Sequence, residues 1–121
     1  MLNYVVQETA VREGGQSSVF ALGENTGQTL VVTLAITHAM EQESLDLDIY
    51  TSADGLSWPK EPEARFRQKS YCGTYHLTLP RSEARYMKAV WEVSRWRHSA
   101  GRPFFQFYVS AEPVRAMAGA A

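Results

Sequence analysis

The chain has a single cysteine, Cys72, so no internal disulfide can form, and with only three histidines it cannot fill any common zinc-ligand spacing. No apolar run approaches the roughly 18 to 20 residues that a membrane helix requires. Residues 1–10 have neither the basic start nor the long apolar stretch of a secretory signal. These absences predict a soluble protein made in the cytoplasm without a signal peptide, with no membrane partner. Catalytic signatures are missing too: there is no Gly-x-Ser-x-Gly, no Gly-x-x-x-x-Gly-Lys, no His-Glu-x-x-His and no calcium-loop pattern. The expectation is therefore a protein that is not an enzyme and takes no cofactor or metal.

What is present is an ordinary globular composition. At 121 residues, 45% hydrophobic and 21% charged, the chain has room for one domain with a normal core. Period-two alternation recurs in short segments closed by turn formers, which is the pattern of half-buried antiparallel strands. Segments 3–11, 17–22, 29–38, 45–51, 65–68, 73–79, 86–96 and 104–110 read this way, and Pro59, Pro62, Pro80 and Pro113 fall between or after them. The predicted fold is all-β, a two-layer antiparallel sandwich of the jelly-roll kind with about eight strands. It spans 1–121 as one domain, with 112–121 a C-terminal tail. Leu45, Leu47 and Ile49 are expected inward, with Asp46 and Asp48 toward water. Met87, Ala89, Trp91 and Val93 share the inward parity of their strand, as do Phe105, Phe107 and Val109.

The net charge of −1 hides a division along the chain. Residues 1–64 carry ten acidic and two basic side chains, a balance of −8, and residues 65–121 carry ten basic and three acidic, a balance of +7. Such blocks are satisfied either across strands within one sheet or between chains. For the second case the positive side would be Arg95, Arg97 and Arg102, and the negative side Glu24, Glu41 and Glu43 in loops. Because the chain as a whole is not basic, nucleic acid is not an expected partner.

Several local groups could carry chemistry. The run Arg95-Trp96-Arg97-His98-Ser99-Ala100-Gly101-Arg102 interleaves cations with an aromatic at a predicted hairpin tip, which suits phosphate, carboxylate or planar partners. Its plainer account is a twisted hairpin whose arginine stems cover Trp96. Asp46 and Asp48 could hold a hard cation between them, although outward aspartates alternating with core leucines more often serve as surface. Cys72 is expected to be a small semi-buried residue, and His38, His76 and His98 to be ordinary strand-end or surface side chains.

The segment Leu45-Asp-Leu-Asp-Ile-Tyr-Thr-Ser-Ala-Asp-Gly-Leu-Ser-Trp58 resembles the Ser-x-Asp-Gly-x-x-Trp strand of discoidin, or coagulation-factor C-type, domains. Ala84-Arg85-Tyr86-Met87-Lys88-Ala89-Val90-Trp91 is similar to a second strand of that family and follows in the right order. The resemblance covers roughly residues 29–110 and implies a galactose-binding-like jelly roll. In such a scaffold Asp54 bonds its own turn, Gly55 takes positive φ, and Trp58, like Trp91, is expected in the core. Taken whole, the chain also looks like small β-sandwich proteins encoded among the structural genes of tailed bacteriophages. That likeness implies a non-enzymatic structural or assembly module, a virion protein decorating or cementing a capsid or serving a tail. Its partners would be other protein subunits of a homo-oligomer or virion. The alternative is a carbohydrate-binding module of the galactose-binding-like class, with Tyr71, Trp96 and Tyr108 as the aromatics available to a glycan.

Overall fold

The computed structural model describes residues 3–39, 43–95 and 104–114. Nine strands lie among them: β1 (Asn3–Val11), β2 (Gly15–Gln16), β3 (Phe20–Ala21), β4 (Leu30–Ala39), β5 (Glu43–Ser52), β6 (Ala64–Lys69), β7 (Gly73–Leu79), β8 (Tyr86–Arg95) and β9 (Phe105–Pro113). One sheet has the order β1-β9-β4-β7, and the other the order β2-β8-β5-β6 with β3 also paired to β8. All pairings are antiparallel. Since β2 and β3 share the same neighbour, they fill one position between them. The path through the remaining positions is that of an eight-position jelly roll, as the alternation predicts.

The broken second strand has a local cause. A single strand over 17–22 is the expectation, but Ser17 interrupts the ladder. Its backbone N–H donates to the Ala89 carbonyl at 2.8 Å, and its Oγ accepts from the Ala89 N–H at 2.9 Å. The hydroxyl thus replaces a backbone carbonyl, a local competition that serine side chains offer readily. At the other end of the chain, Glu112 and Pro113 were expected in the tail. They instead complete β9, where they pair with Val31 and Leu30. Residues 115–121 lie outside the described residues.

The core is the set of inward residues that parity assigns. Leu45, Leu47 and Ile49 of β5, Met87 and Ala89 of β8, and Phe105, Phe107 and Val109 of β9 have no exposed surface. Val32 and Leu34 of β4 are equally closed off. Each such large side chain withdrawn from water contributes about 1.5 to 3 kcal/mol before the entropy cost is subtracted. Strand β4 lies between β9 and β7, and even its outward Val31 and Ala35 are buried. Trp91 packs half-buried against this core, edge-to-face with Phe107 at 5.4 Å.

Candidate functional site

The predicted hairpin tip is the first place to look for a site. Trp96, Arg97, His98 and Arg102 lie outside the described residues, as does Glu41, and of Arg95 only the backbone is described. Glu43, expected in an exposed loop, is instead the first residue of β5, 2% exposed, and in register with Arg95 of β8. Its Oε1 accepts a hydrogen bond from the Phe104 N–H at 3.1 Å, which ties β5 of one sheet to the start of β9 in the other. The physical reason is parity: Glu43 is two residues before Leu45 and points the same way. Phe104 is further held by Arg12, whose guanidinium lies 5.0 Å over its ring, and by His38 at 5.1 Å edge-to-face. Glu24 is exposed on a short 3-10 turn (Gly23–Asn25) before β4, at the opposite end of the sandwich. Glu24 and Glu43 therefore do not share one acidic patch, and Glu43 presents no surface to a neighbour.

At the end where Glu24 lies, the two motif segments meet. Asp54 Oδ1 accepts from the N–H groups of Leu56 and Ser57, both at 2.8 Å, and these bonds hold its carboxyl below its ordinary pKa, the Ser57 bond contributing most. Ser52, buried, donates from its Oγ to the Ser57 carbonyl at 2.7 Å and accepts from the Gly55 N–H at 2.9 Å. Gly55 has φ of +76°, and a Cβ there would stand 3.2 Å from the Tyr86 ring. Tyr86 in turn pairs with Ser52. Asp54 and Gly55 thus take the structural roles expected of them. Trp58 does not: it is half-buried outside the core, beneath the Lys88 ammonium at 4.6 Å. Lys88 alternates with the inward Met87 and Ala89, so the loop carries Trp58 over the outer face of the sheet.

The two sheets present different chemistry to solvent. Apart from the buried Glu43 and from Arg95, of which only the backbone is described, strands β5, β6 and β8 carry seven charged residues: Asp46, Asp48, Arg65, Arg67, Lys69, Lys88 and Glu92. Asp46, Asp48, Arg65, Arg67, Gln68 and Glu92 line an open depression on this face. Arg65 pairs with Asp48 at 3.6 Å and with Glu61 at 3.8 Å. Burial raises the Asp48 pKa against the opposing pull of Arg65. Asp46 accepts from the Gln68 N–H at 2.7 Å and sits opposite Glu92. Among the described residues no three of histidine, cysteine, aspartate and glutamate form a group able to hold a metal ion. The acidic and basic halves of the chain are thereby interleaved in one sheet, with β5 between β6 and β8.

The four-stranded sheet is almost without charge. Its strands contain two glutamates, Glu8 and Glu112, and no lysine or arginine. On its outer face Tyr4, 41% exposed, meets Tyr108 edge-to-face at 5.6 Å. Beside them Glu8 Oε2 accepts from Thr37 Oγ1 and Gln106 Nε2, both at 2.8 Å. Thr33 Oγ1 and His76 Nδ1 are hydrogen-bonded at 3.0 Å. Ala35 and Ser110, buried between these larger groups, keep the surface low. Sequence reasoning singled out Tyr108 but missed Tyr4, whose signal was only its place at the start of an edge strand. Tyr71 is 77% exposed on the turn before β7, and Trp96, the third aromatic proposed for a glycan, lies outside the described residues. Cys72 on the same turn is exposed rather than semi-buried.

No helix among the described residues is long and apolar enough to cross a membrane. In comparisons with known proteins, the chain matches no protein-family model and no curated protein.

Proposed function

We propose that the chain is a non-enzymatic assembly module that docks other protein subunits, in the manner of the tailed-phage capsid-decoration or tail-accessory proteins that its size, strand pattern and motifs resemble. The observation that carries this reading is the outer face of the four-stranded sheet. It is nearly uncharged and low in relief, and it has the Tyr4–Tyr108 pair where the edge strand β1 meets β9. Tyrosine is enriched where proteins meet because it offers large apolar area with a polar tip, while charge is depleted at the centre of such contacts. The charged sheet opposite supplies solubility. The fold-level likeness to discoidin domains belongs to the scaffold and adds nothing about the ligand.

A second reading, glycan binding, is favoured by one feature: the tyrosine pair stands beside a glutamate and an amide on the same face. Tyr108→Ala separates the two. On the assembly reading it abolishes co-sedimentation with the purified particle or subunit while thermal unfolding of the free protein changes little, and a glycan array stays blank. Array signals lost in Tyr108→Ala would replace assembly by sugar recognition. Unchanged co-sedimentation in the variant would remove this face from the function.

A further inference from the structure

The sandwich has four strand edges, and three of them are defended. An edge strand offers unpaired N–H and C=O groups to any other strand, and proteins block such edges with bulges, cations, proline or brevity. Strand β1 carries two register shifts along its pairing with β9. Strand β6 carries Arg65, Arg67 and Lys69, a register shift, and Gln68 in a left-handed conformation at φ of +49°. Strands β2 and β3 are two residues each. Strand β7 itself contains none of these, and the Lys69 ammonium of β6 lies 4.8 Å over the face of its Tyr75 ring without interrupting its ladder. Its seven residues, Gly73-Thr-Tyr-His-Leu-Thr-Leu79, pair with β4 in unbroken register from Leu30–Leu79 to Ile36–Gly73, without a proline, lysine, arginine or acid. On its other side no strand of the sheet follows among the described residues.

The same strand is complementary to itself. Read outward from His76, the residues are Tyr75 and Leu77, then Thr74 and Thr78. Two copies of β7 running antiparallel about a two-fold axis through His76 would set Thr74 against Thr78 and Tyr75 against Leu77. Aromatic–aliphatic and threonine–threonine pairs are favourable cross-strand combinations. Parity is kept as well: Thr74, His76 and Thr78 are exposed on the outer face, and Tyr75 and Leu77 are half-buried on the inner one. A two-fold, isologous contact requires this kind of self-matching surface.

We infer that β7 is a self-association edge through which two copies of this chain join their four-stranded sheets into one continuous eight-stranded sheet. This rests on the assembly reading and deepens it, because the joined sheet presents the Tyr4–Tyr108 face twice, side by side. The neighbouring β6 edges bring like charges toward one another across the axis, so added salt relieves repulsion instead of breaking attraction. That sign is opposite to the one expected for association through the acidic and basic blocks.

Sedimentation of the full chain gives the first test: a dimer that persists or tightens in molar salt is expected. His76→Lys places two cations directly opposite each other at an exposed position and should raise the dimer dissociation constant about tenfold, while the unfolding temperature of the monomer, compared at concentrations below the parent's dissociation constant, changes little. In a Cys72→Ser background, His76→Cys should form an interchain disulfide under mild oxidation, since residues facing across an antiparallel pair lie about 4.5 to 5.5 Å apart at Cα. Gln7→Cys, exposed on β1 at the opposite edge of the same sheet, should not cross-link. A monomer at all concentrations with no cross-link at position 76, or a dimer that falls apart in molar salt, overturns the inference. Co-sedimentation with the particle that is lost in Tyr108→Ala but kept in His76→Lys would leave the docking face standing without the β7 pairing, so the two failures are distinguishable.

Discussion

Three residues show how far parity carries. Glu43 shares the inward side of β5 with Leu45, Leu47 and Ile49, and a strict count by twos places it inside; its charge suggested a loop instead. The structure resolves the conflict by giving the carboxylate a partner across the sandwich, since a buried acceptor must be satisfied. Glu43→Ala should cost about 1.5 to 3 kcal/mol in urea denaturation by leaving the Phe104 N–H without this acceptor, and Glu43→Gln less. Asp54 works by the same logic at the opposite end. Its folded pKa is depressed from the ordinary 3.8, so its contribution to stability is present above that value and is lost as pH falls through the lower, folded one. Unfolding temperature measured from about pH 5 downward should therefore fall less steeply in Asp54→Ala than in the parent. Trp91 is the converse case: its ring packs on Phe107 and faces Gly15, but its buried Nε1 finds no acceptor among the described residues.

Elements were legible wherever alternation and a punctuating residue agreed. Strands β1 and β7 have the bounds the sequence indicates, and Pro80 closes β7. The second strand was not legible because what divides it is a side-chain hydroxyl standing in for a carbonyl, a choice made only once β8 is alongside. Strand β6 hides a similar feature. Between its pairings to Leu45 and Leu47 the register slips, and Gln68 takes up the slack with positive φ while Asp46 binds its N–H. A left-handed backbone costs a residue with a Cβ roughly 1 to 2 kcal/mol, and glycine returns about half of that gain through its freer unfolded state. Gln68→Gly should thus stabilise the protein by about 0.5 to 1 kcal/mol in a denaturant titration. A loss of stability would show that the side chain does more here than endure the turn.

Over the whole molecule, the acidic first half and basic second half become a difference between sheets. The jelly-roll path threads β5 between β6 and β8, so opposite charges from distant parts of the chain share one surface, with Asp48 and Arg65 in contact. The other sheet is left nearly neutral. The backbones of Arg95 and Glu43 stand in register across the β8–β5 ladder, so this pair of segments is not placed on separate loops. Association through uncharged surface then follows as the natural route, and its response to salt is the measurement that tells it from association through opposed charges.

The sequence by itself determined the all-β class, the inward residues of nearly every strand and the turn at Asp54 and Gly55. These depend on period-two alternation and on backbone demands that act over a few residues. Only the tertiary structure decided which strands lie side by side, and with them the charge partition, the burial of Glu43, the place of Trp58 beneath Lys88 and the meeting of Tyr4 with Tyr108. Those outcomes join residues as much as 104 positions apart (Tyr4 and Tyr108), and no local pattern records a contact closed over that span.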